Sequence, residues 1–287
     1  MKGYGGDISL LDSSAMYISG VFGQLIVVMF LFFSGYGVSE SIKRRGIEYV
    51  KGMPRHRIFK TLMNFDVAVI LFFLVNIALG HPLPFKRLVL SLIAWDSVGN
   101  SNWYVFSILV CYLLTFVVAL CYRSIGWYML VVVLATIWAM SFFKAAYWYN
   151  TMMAYPVGIL VSENRDIIDK MLKRHFASVM TMSAGLFLFL YLTLRGDLNG
   201  IGYNFLSISF AFLVIVLMYK VHVENYALQW AGRNLFPLYI YQRLSFMLLS
   251  TLFPREFLVS GGACVFSLLA LISTIAIAFV YARVSFK

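Results

Sequence analysis

Nine apolar stretches divide this chain of 287 residues, and most of them have the length of a bilayer-spanning helix. A transmembrane helix needs about 20 predominantly apolar residues. Only 12% of the residues are charged, whereas soluble domains carry about a quarter. We therefore predict an all-α, polytopic transmembrane helix bundle of about nine helices, forming a single domain over residues 1–287. The stretches are 16–38, 61–80, 103–121, 127–143, 149–162, 176–194, 201–219, 234–252 and 259–281.

Two segments depart from the pattern of full-length spans. The stretch 149–162 is short and includes Pro156 and Gly158, which predicts either a broken or tilted helix or one that extends back through Trp148 and Tyr147. Residues 86–95 are apolar but too short to cross a bilayer, so we expect them to lie at the outer interface.

The distribution of basic residues predicts the orientation of the chain. If the loop 39–60 is cytoplasmic, 16 of the 23 Lys and Arg lie on that side and six on the other, while Arg243 falls within an apolar stretch. Cytoplasmic loops carry the excess of Lys and Arg in membrane proteins, so the C-terminus is predicted to be cytoplasmic and the N-terminus external. The same placement explains the net charge of +11 without nucleic-acid binding, and it makes membrane lipids the expected surroundings.

Two ionisable side chains fall inside apolar stretches: Asp66 in the second and Arg243 in the eighth. Each is costly against lipid, so each either lines a polar cavity or reaches a partner or an interface. Three neighbours of Arg243 in the sequence favour a cavity, because a lipid-facing helix would not gather so many hydrogen-bonding groups: Tyr239, Tyr241 and Gln242.

Seven basic residues precede the second apolar stretch, and they have two interpretations. The cluster either anchors the topology against anionic lipid head groups or contributes to a ligand site. In the second case Arg57 and Lys60, three residues apart at a helix entrance, share one face and bind phosphate groups of a cytoplasmic ligand. Charge alone leaves both interpretations open.

The polar stretch 96–102 precedes Trp103 and Tyr104 at the predicted outer mouth of the third span. The two aromatic residues are either interface anchors or, with the preceding amide and carboxylate groups, part of an external carbohydrate site. No metal-binding or phosphate-loop motif is recognisable, so no metal is expected.

Four short motifs occur in order along the chain: VMFLFFSGYG at 28–37, RIFK at 57–60, NWYVF at 102–106 and NLFPLYIYQ at 234–242. Together they resemble the acyltransferase-3 family of bacterial integral membrane O-acyltransferases. RIFK is similar to the family's Arg-x-x-Arg at a helix entrance, with lysine in the second position. Gln242 stands where many members of the family carry histidine.

The resemblance implies that an acyl group, most often acetyl, moves from cytoplasmic acyl-CoA to a hydroxyl of an envelope glycan or a lipid-linked sugar. It implies a multi-pass protein of the bacterial plasma membrane that uses acyl-CoA as donor and binds no other cofactor. Arg57 and Lys60 would then hold the phosphates of the donor. The cavity-lining candidates are Asp66, Trp103, Tyr104, Tyr239, Gln242 and Arg243.

The chain also departs from the family pattern. Members begin with an earlier helix that bears an arginine and the histidine regarded as the catalytic base, and they keep both termini cytoplasmic. We therefore expect a chain that is N-terminally incomplete and leave its catalytic residue unassigned. An inactive remnant or accessory membrane protein is one alternative. A secondary transporter is another, although such folds usually show paired halves and the sequence shows no repeat.

Overall fold

A computed structural model describes residues 10–122, 124–194, 201–221, 224–253 and 262–284. Over these residues the protein is helical and contains no β-strand, which confirms the expected all-helical class. The α-helices of the described residues are α1 (Leu10–Met53), α2 (Lys60–Ala78), α3 (Phe85–Leu92), α4 (Trp103–Cys121), α5 (Gly126–Met140), α6 (Ala154–Glu163), α7 (Arg165–Thr193), α8 (Ile201–Lys220), α9 (Tyr226–Arg233), α10 (Leu235–Leu252) and α11 (Ala263–Val284).

The first two apolar stretches are joined by helix rather than by an irregular loop. α1 is interrupted at Gly46, whose φ of 60° and ψ of −143° are backbone angles available almost only to glycine. A π-helical segment, Pro54–Phe59, then leads directly into α2. Pro54 follows the last residue of α1 without a gap, so its missing N–H removes one hydrogen bond within continuous helical backbone, as at other irregular helix positions. The basic residues between the two stretches are therefore held on helical backbone.

The helices fall into two compact units. The central unit comprises residues 24–61 and the described part of 103–223. The terminal unit comprises residues 62–102 and the described part of 224–287, together with the start of α1. The single domain expected from the sequence stays a prediction.

Two glycines bring α1 and α6 into close contact in the central unit. A Cβ atom at Gly35 would collide with the backbone carbonyl of Tyr155. A Cβ atom at Gly158 would collide with the backbone carbonyl of Phe32 and crowd the amide nitrogen of Tyr36. Small residues permit such close helix crossings in membranes, where packing rather than hydrophobic burial drives association. The two glycines thus allow the backbones of α1 and α6 to lie in direct contact.

In the terminal unit, α10 and α11 pair through polar and aromatic contacts. The Thr274 hydroxyl donates a hydrogen bond of 2.9 Å to the Ser245 hydroxyl, and the rings of Phe246 and Phe266 lie 5.8 Å apart. The Tyr281 hydroxyl of α11 donates to the side-chain oxygen of Asn64 in α2 at 2.9 Å. Polar bonds between apolar helices restrict how the helices rotate against each other.

The outer surface identifies a membrane protein. Large apolar side chains are exposed along the helices, with Trp138 68% and Met182 74% exposed. An exposed apolar surface of this extent marks contact with lipid or a partner. Among the described residues, five stretches are long and apolar enough to cross a membrane. They are Gly23–Ala78, which includes the break at Gly46, and Trp103–Cys121, Arg165–Thr193, Ile201–Lys220 and Cys264–Arg283.

The shorter predicted segments take the forms that their lengths suggest. The stretch 149–162 becomes helical only from Ala154, after a 3₁₀ turn at Ala146–Trp148, so α6 has 10 residues. The segment 86–95 overlaps the short helix α3, which ends at Leu92, and its location at the outer interface stays a prediction. The start of the predicted span 259–281 lies outside the described residues. The total of nine spans and the cytoplasmic C-terminus stay predictions.

Candidate functional site

The clearest candidate site of the central unit is built around Arg57, which lies in the π-helical segment before α2. The backbone N–H of Lys60 donates to the carbonyl of Arg55, five residues earlier, as the wider turn requires. Single π-helical turns are rare and occur often at functional sites. Arg57 belongs to this segment, so its side chain is a candidate for function.

Aromatic residues hold the Arg57 side chain. Its Nε donates a hydrogen bond of 2.9 Å to the Tyr49 hydroxyl, and its guanidinium carbon lies 5.9 Å from the centre of the Tyr112 ring. Arg45, which is exposed, places its guanidinium carbon 4.5 Å from the centre of the Tyr49 ring. Cation–π contacts of this kind position a guanidinium without neutralising it. We refer to Arg45, Tyr49, Arg57 and Tyr112 as the arginine site.

Neither arginine of this site has an acidic partner among the described residues. The ion pairs found there join Lys43 to Glu40, Arg87 to Asp96 and Arg165 to Asp169. Arg57 is half-buried, its Nε donates to Tyr49, and the Tyr112 hydroxyl is a second hydrogen-bonding neighbour. A guanidinium has five N–H donors, so these two neutral partners do not use all of them. A half-buried cation without a carboxylate suits an anionic ligand, and the planar guanidinium matches phosphate and carboxylate groups.

A buried polar chain continues from the arginine site into the central unit. The rings of Tyr112 and Tyr155 meet edge to face at 6.1 Å, and the hydroxyls of Tyr155 and Thr115 lie 3.0 Å apart. The Thr115 hydroxyl also donates to the carbonyl of Cys111 at 2.7 Å. Tyr155 and Thr115 are fully buried, so these bonds hold Tyr155 rigidly behind the ring that faces Arg57.

A cavity of about 760 Å³ lies in the same unit, lined by α1, the end of α4, the segment before α5 and the end of α6. Gly46, Ile47 and Val50, on either side of Tyr49 in the chain, form one wall. Two charged residues also line the cavity, but both have structural partners. Lys43 binds Glu40 and the Ser162 carbonyl. Glu163 accepts from the backbone N–H groups of Ile125 and Gly126 at 2.9 and 3.1 Å, which caps the start of α5.

Lys60, predicted to act with Arg57, has different surroundings. Its side chain is exposed, whereas Arg57 is half-buried between tyrosines. Their three-residue spacing spans the junction of the π-helical segment with α2, where the angle between successive side chains differs from that of an α-helix. Their joint role in binding a donor stays a prediction.

The cavity-lining candidates are distributed over both units. In the central unit, Tyr104 is buried and packs edge-on against Phe30 at 5.9 Å, while Trp103 is half-buried. In the terminal unit, Tyr239 is buried, Gln242 half-buried and Arg243 exposed. Asp66, also in the terminal unit, is half-buried, and its Oδ1 has no hydrogen-bond partner among the described residues. That these residues line a cavity stays a prediction.

The polar stretch 96–102 forms a folded loop of the terminal unit rather than a row of free side chains. The Asn102 amide donates to the carbonyls of Ala94 and Asp96 at 3.1 and 2.6 Å. The Asn100 side-chain oxygen accepts from the Val98 N–H at 3.2 Å, and the Asn76 amide donates to the Val98 carbonyl at 2.8 Å. These bonds occupy the Asn102 amide nitrogen and the Asn100 side-chain oxygen, whereas the buried Asn100 amide nitrogen has no partner among the described residues.

Some residues of the arginine site and of the polar chain behind it belong to no motif that marks them in the sequence. Tyr49 lies eight residues before Arg57 on the far side of Pro54, and Tyr155 belongs to a stretch that reads only as a broken span. Their one common property in the sequence is that Tyr155 and Thr115 are hydrogen-bonding residues within apolar stretches.

Comparison of the chain with protein-family models, with curated proteins and with solved structures gives no match.

Proposed function

We propose that this protein is a membrane O-acyltransferase of the acyltransferase-3 type. It would transfer an acyl group, most simply acetyl, from acyl-CoA to a hydroxyl of an envelope glycan or lipid-linked sugar. The observation that supports this proposal best is the arginine site, where Arg57 is half-buried, held by Tyr49 and Tyr112, and without an acidic partner among the described residues. The four motifs in family order are the second support.

The arginine site suits the phosphate groups of coenzyme A. Withdrawing a cation from water is unfavourable unless an anion or strong acceptors replace the lost hydration. Tyr49 and Tyr112 supply neutral acceptors to Arg57, and the remaining N–H donors of its five are left for a ligand. A phosphate oxygen pair would complete the site by charge-assisted hydrogen bonds, and Arg45 and Lys60 would add longer-range attraction.

The neighbouring cavity gives the rest of the donor a place to lie. Its volume of about 760 Å³ is within the range of small-molecule sites. Ile42, Ile47 and Leu120 supply an apolar lining, while the polar groups of Lys43 and Glu163 are engaged in structural bonds. We place the less polar part of the donor in this cavity and its phosphates at the arginine site.

The reaction itself requires a base near the acceptor. The acceptor hydroxyl oxygen attacks the thioester carbonyl carbon, the carbon–sulfur bond breaks and coenzyme A leaves as the thiol. The hydroxyl proton passes to a base and finally to the leaving thiolate. Of the four histidines, His56, His81 and His175 are exposed and His222 lies outside the described residues. The catalytic residue therefore stays unassigned.

The proposed orientation places the arginine site at the cytoplasmic side of a bacterial plasma membrane, where acyl-CoA is found, with the C-terminus on the same side. Single cysteines in a cysteine-free background test this. Cysteines at the exposed positions Lys51 and Lys173 should resist an impermeant thiol reagent in intact cells, whereas cysteines at His81 and Lys86 should react. Labelling of the first pair with protection of the second would invert the orientation.

Transfer is tested directly in membranes that contain the protein. Acetyl-CoA radiolabelled in the acetyl group is added, and alkali-labile label is counted in extracted glycans and glycolipids. We expect ester-linked label above that of matched membranes without the protein. Absence of label, together with no measurable binding of coenzyme A to the purified protein, would refute the proposed function.

A further inference from the structure

Two exposed tyrosines of the central unit stack on each other where α4 ends and α5 begins. Tyr122 directly follows the last residue of α4, and Tyr128 lies in the first turn of α5. Their ring centres are 3.7 Å apart and their ring planes differ by 17°, so the rings are nearly parallel. Each residue is 46% exposed, so the stacked pair leaves ring surface accessible. We refer to Tyr122 and Tyr128 as the tyrosine stack.

Backbone hydrogen bonds hold both ends of the tyrosine stack. The Tyr122 N–H donates to the Val118 carbonyl of α4 at 2.9 Å. At the other end, Glu163 of α6 accepts from the N–H groups of Ile125 and Gly126, where α5 begins. Because both backbones are fixed, the rings are ordered before a ligand arrives, and less conformational entropy is lost on binding.

Tyr122 also lines the cavity of about 760 Å³, together with its chain neighbours Cys121 and Ser124. Tyr128 covers one face of the Tyr122 ring, so the opposite face is the one that a ligand ring can meet. Protein sites for small molecules measure about 300–1,000 Å³, so the cavity has room for a purine ring and more. The tyrosine stack therefore adjoins space in which a third ring can lie.

The chemistry of the cavity wall favours a nucleobase. A nucleobase has apolar faces and a polar edge, and every base can stack on an aromatic ring. The wall likewise combines apolar side chains with the hydroxyls of Ser39 and Ser124. Its charged side chains, Lys43 and Glu163, are opposite in sign and bonded to protein groups. The cavity therefore suits an uncharged ring better than a phosphate.

An interface anchor is the other role open to exposed tyrosines of a membrane protein. An anchor has to reach the head groups, but it needs neither a parallel aromatic partner nor a cavity. Tyr147 of the same unit provides the comparison. It is 45% exposed and its ring lies 5.9 Å from that of Trp148, yet it does not line the cavity.

We propose that the tyrosine stack binds the adenine ring of a nucleotide, with that ring lying against Tyr122 in the cavity. The identity of the nucleotide as the adenosine end of acyl-CoA rests on the proposed function, which holds the phosphates at the arginine site. The two sites adjoin along α1, because Gly46, Ile47 and Val50 of the cavity wall flank Tyr49 in the chain. Tyr122 then distinguishes a donor that carries a nucleotide from a simpler thioester.

The experiment is a calorimetric titration of the full chain in lipid nanodiscs. The probes are coenzyme A, adenosine 3′,5′-bisphosphate, which is its adenosine end, and 4′-phosphopantetheine, which lacks that end. Tyr122→Ala should weaken the binding of the first two at least fivefold, because the stacking surface is lost, and should not alter the affinity for 4′-phosphopantetheine. Tyr122→Trp keeps an aromatic face and should bind all three probes within about twofold of the unaltered protein.

The matched control is Tyr147→Ala, which removes an equally exposed tyrosine with an aromatic neighbour but leaves the cavity unchanged. It should keep the affinities of the unaltered protein, and both alanine variants should unfold at nearly its temperature because the replaced residues are exposed. A further measurement needs no variant. Irradiation of bound 2-azidoadenosine 3′,5′-bisphosphate should cross-link it to the peptide that contains Tyr122, and excess coenzyme A should prevent this.

Three results would overturn the proposal: no binding of adenosine 3′,5′-bisphosphate to the unaltered protein, equal binding by Tyr122→Ala and Tyr147→Ala, or cross-links only in other segments. The tyrosine stack would then be an interface anchor, even if acetyl transfer is detected. Conversely, adenosine bisphosphate that binds through Tyr122 in a protein that never transfers acetyl groups would refute the acyltransferase and leave the nucleotide site standing.

Discussion

The central and terminal units each contain an arginine that the sequence marks as a candidate, and they hold it differently. In the central unit, Tyr49 and Tyr112 surround Arg57, which is half-buried. In the terminal unit, the Arg243 side chain is exposed, although Arg243 lies deep in an apolar stretch. Depth in an apolar stretch therefore does not decide whether an arginine is built into a site. The aromatic residues that meet its side chain do.

The two units also differ in the space around two of their glycines, Gly158 and Gly232. Gly158 in the central unit lies against the backbone of α1, where a Cβ atom would have no room. Gly232 in the terminal unit has no heavy atom within 4 Å of the position that a Cβ atom would take. The central unit thus combines close backbone packing with an organised cation, as a site that needs fixed geometry requires.

The largest effect is expected where this packing is broken. Gly158→Leu should destabilise the protein by about 3 kcal/mol because it forces α6 away from α1. Gly232→Leu, with open space around it, should have little effect. The measurement is thermal unfolding in nanodiscs together with the yield of monodisperse protein. Similar losses from both variants would remove the packing contrast between the units.

The second prediction separates the two arginines. Arg57→Ala should weaken coenzyme A binding about tenfold or more, because a charge-assisted hydrogen bond contributes about 1.5–3 kcal/mol. Arg243→Ala should leave that affinity within about twofold, a difference of about 0.4 kcal/mol. Titration of the purified proteins with coenzyme A at fixed salt measures both. If Arg243→Ala costs as much as Arg57→Ala, the terminal unit also contributes to the donor site.

The smallest predicted effect isolates one hydrogen bond of the arginine site. Tyr49→Phe keeps the ring beneath Arg45 but removes the acceptor of the Arg57 Nε, so coenzyme A should bind about threefold more weakly, close to 0.7 kcal/mol. Tyr281→Phe in the terminal unit is the matched control, because it also loses a tyrosine hydrogen bond, to Asn64 at 2.9 Å. An equal loss in both variants would mean that the effect is general destabilisation.

Much of the helical class follows from the sequence, because apolar stretches of bilayer length have few other folds. The apolar character of the long helices and the break before α6 were predicted from length and composition, whereas the helical form of α3 within 86–95 was not. The connection through Gly46 and Pro54–Phe59 was not. It depends on backbone angles that glycine permits but does not require, so a sequence shows only that a break is possible.

The candidate site was predictable only in part, for a related reason. Arg57 stands out as a basic residue at a helix entrance, but its partners Tyr49 and Tyr112 reach it through the bend in α1 and from another helix. The spacing rule that paired Lys60 with Arg57 assumes an α-helix, and the π-helical segment changes that spacing.

The position of Cys121 makes the cavity accessible to spectroscopy without engineering a new probe site. This cysteine is exposed and lines the cavity of about 760 Å³, whereas Cys111 is buried. Replacing the other exposed cysteine, Cys264, with serine would leave one accessible thiol at the cavity wall. A fluorine or spin label on that thiol would report the occupancy and exchange rate of a ligand in the cavity, even for ligands that are never chemically converted.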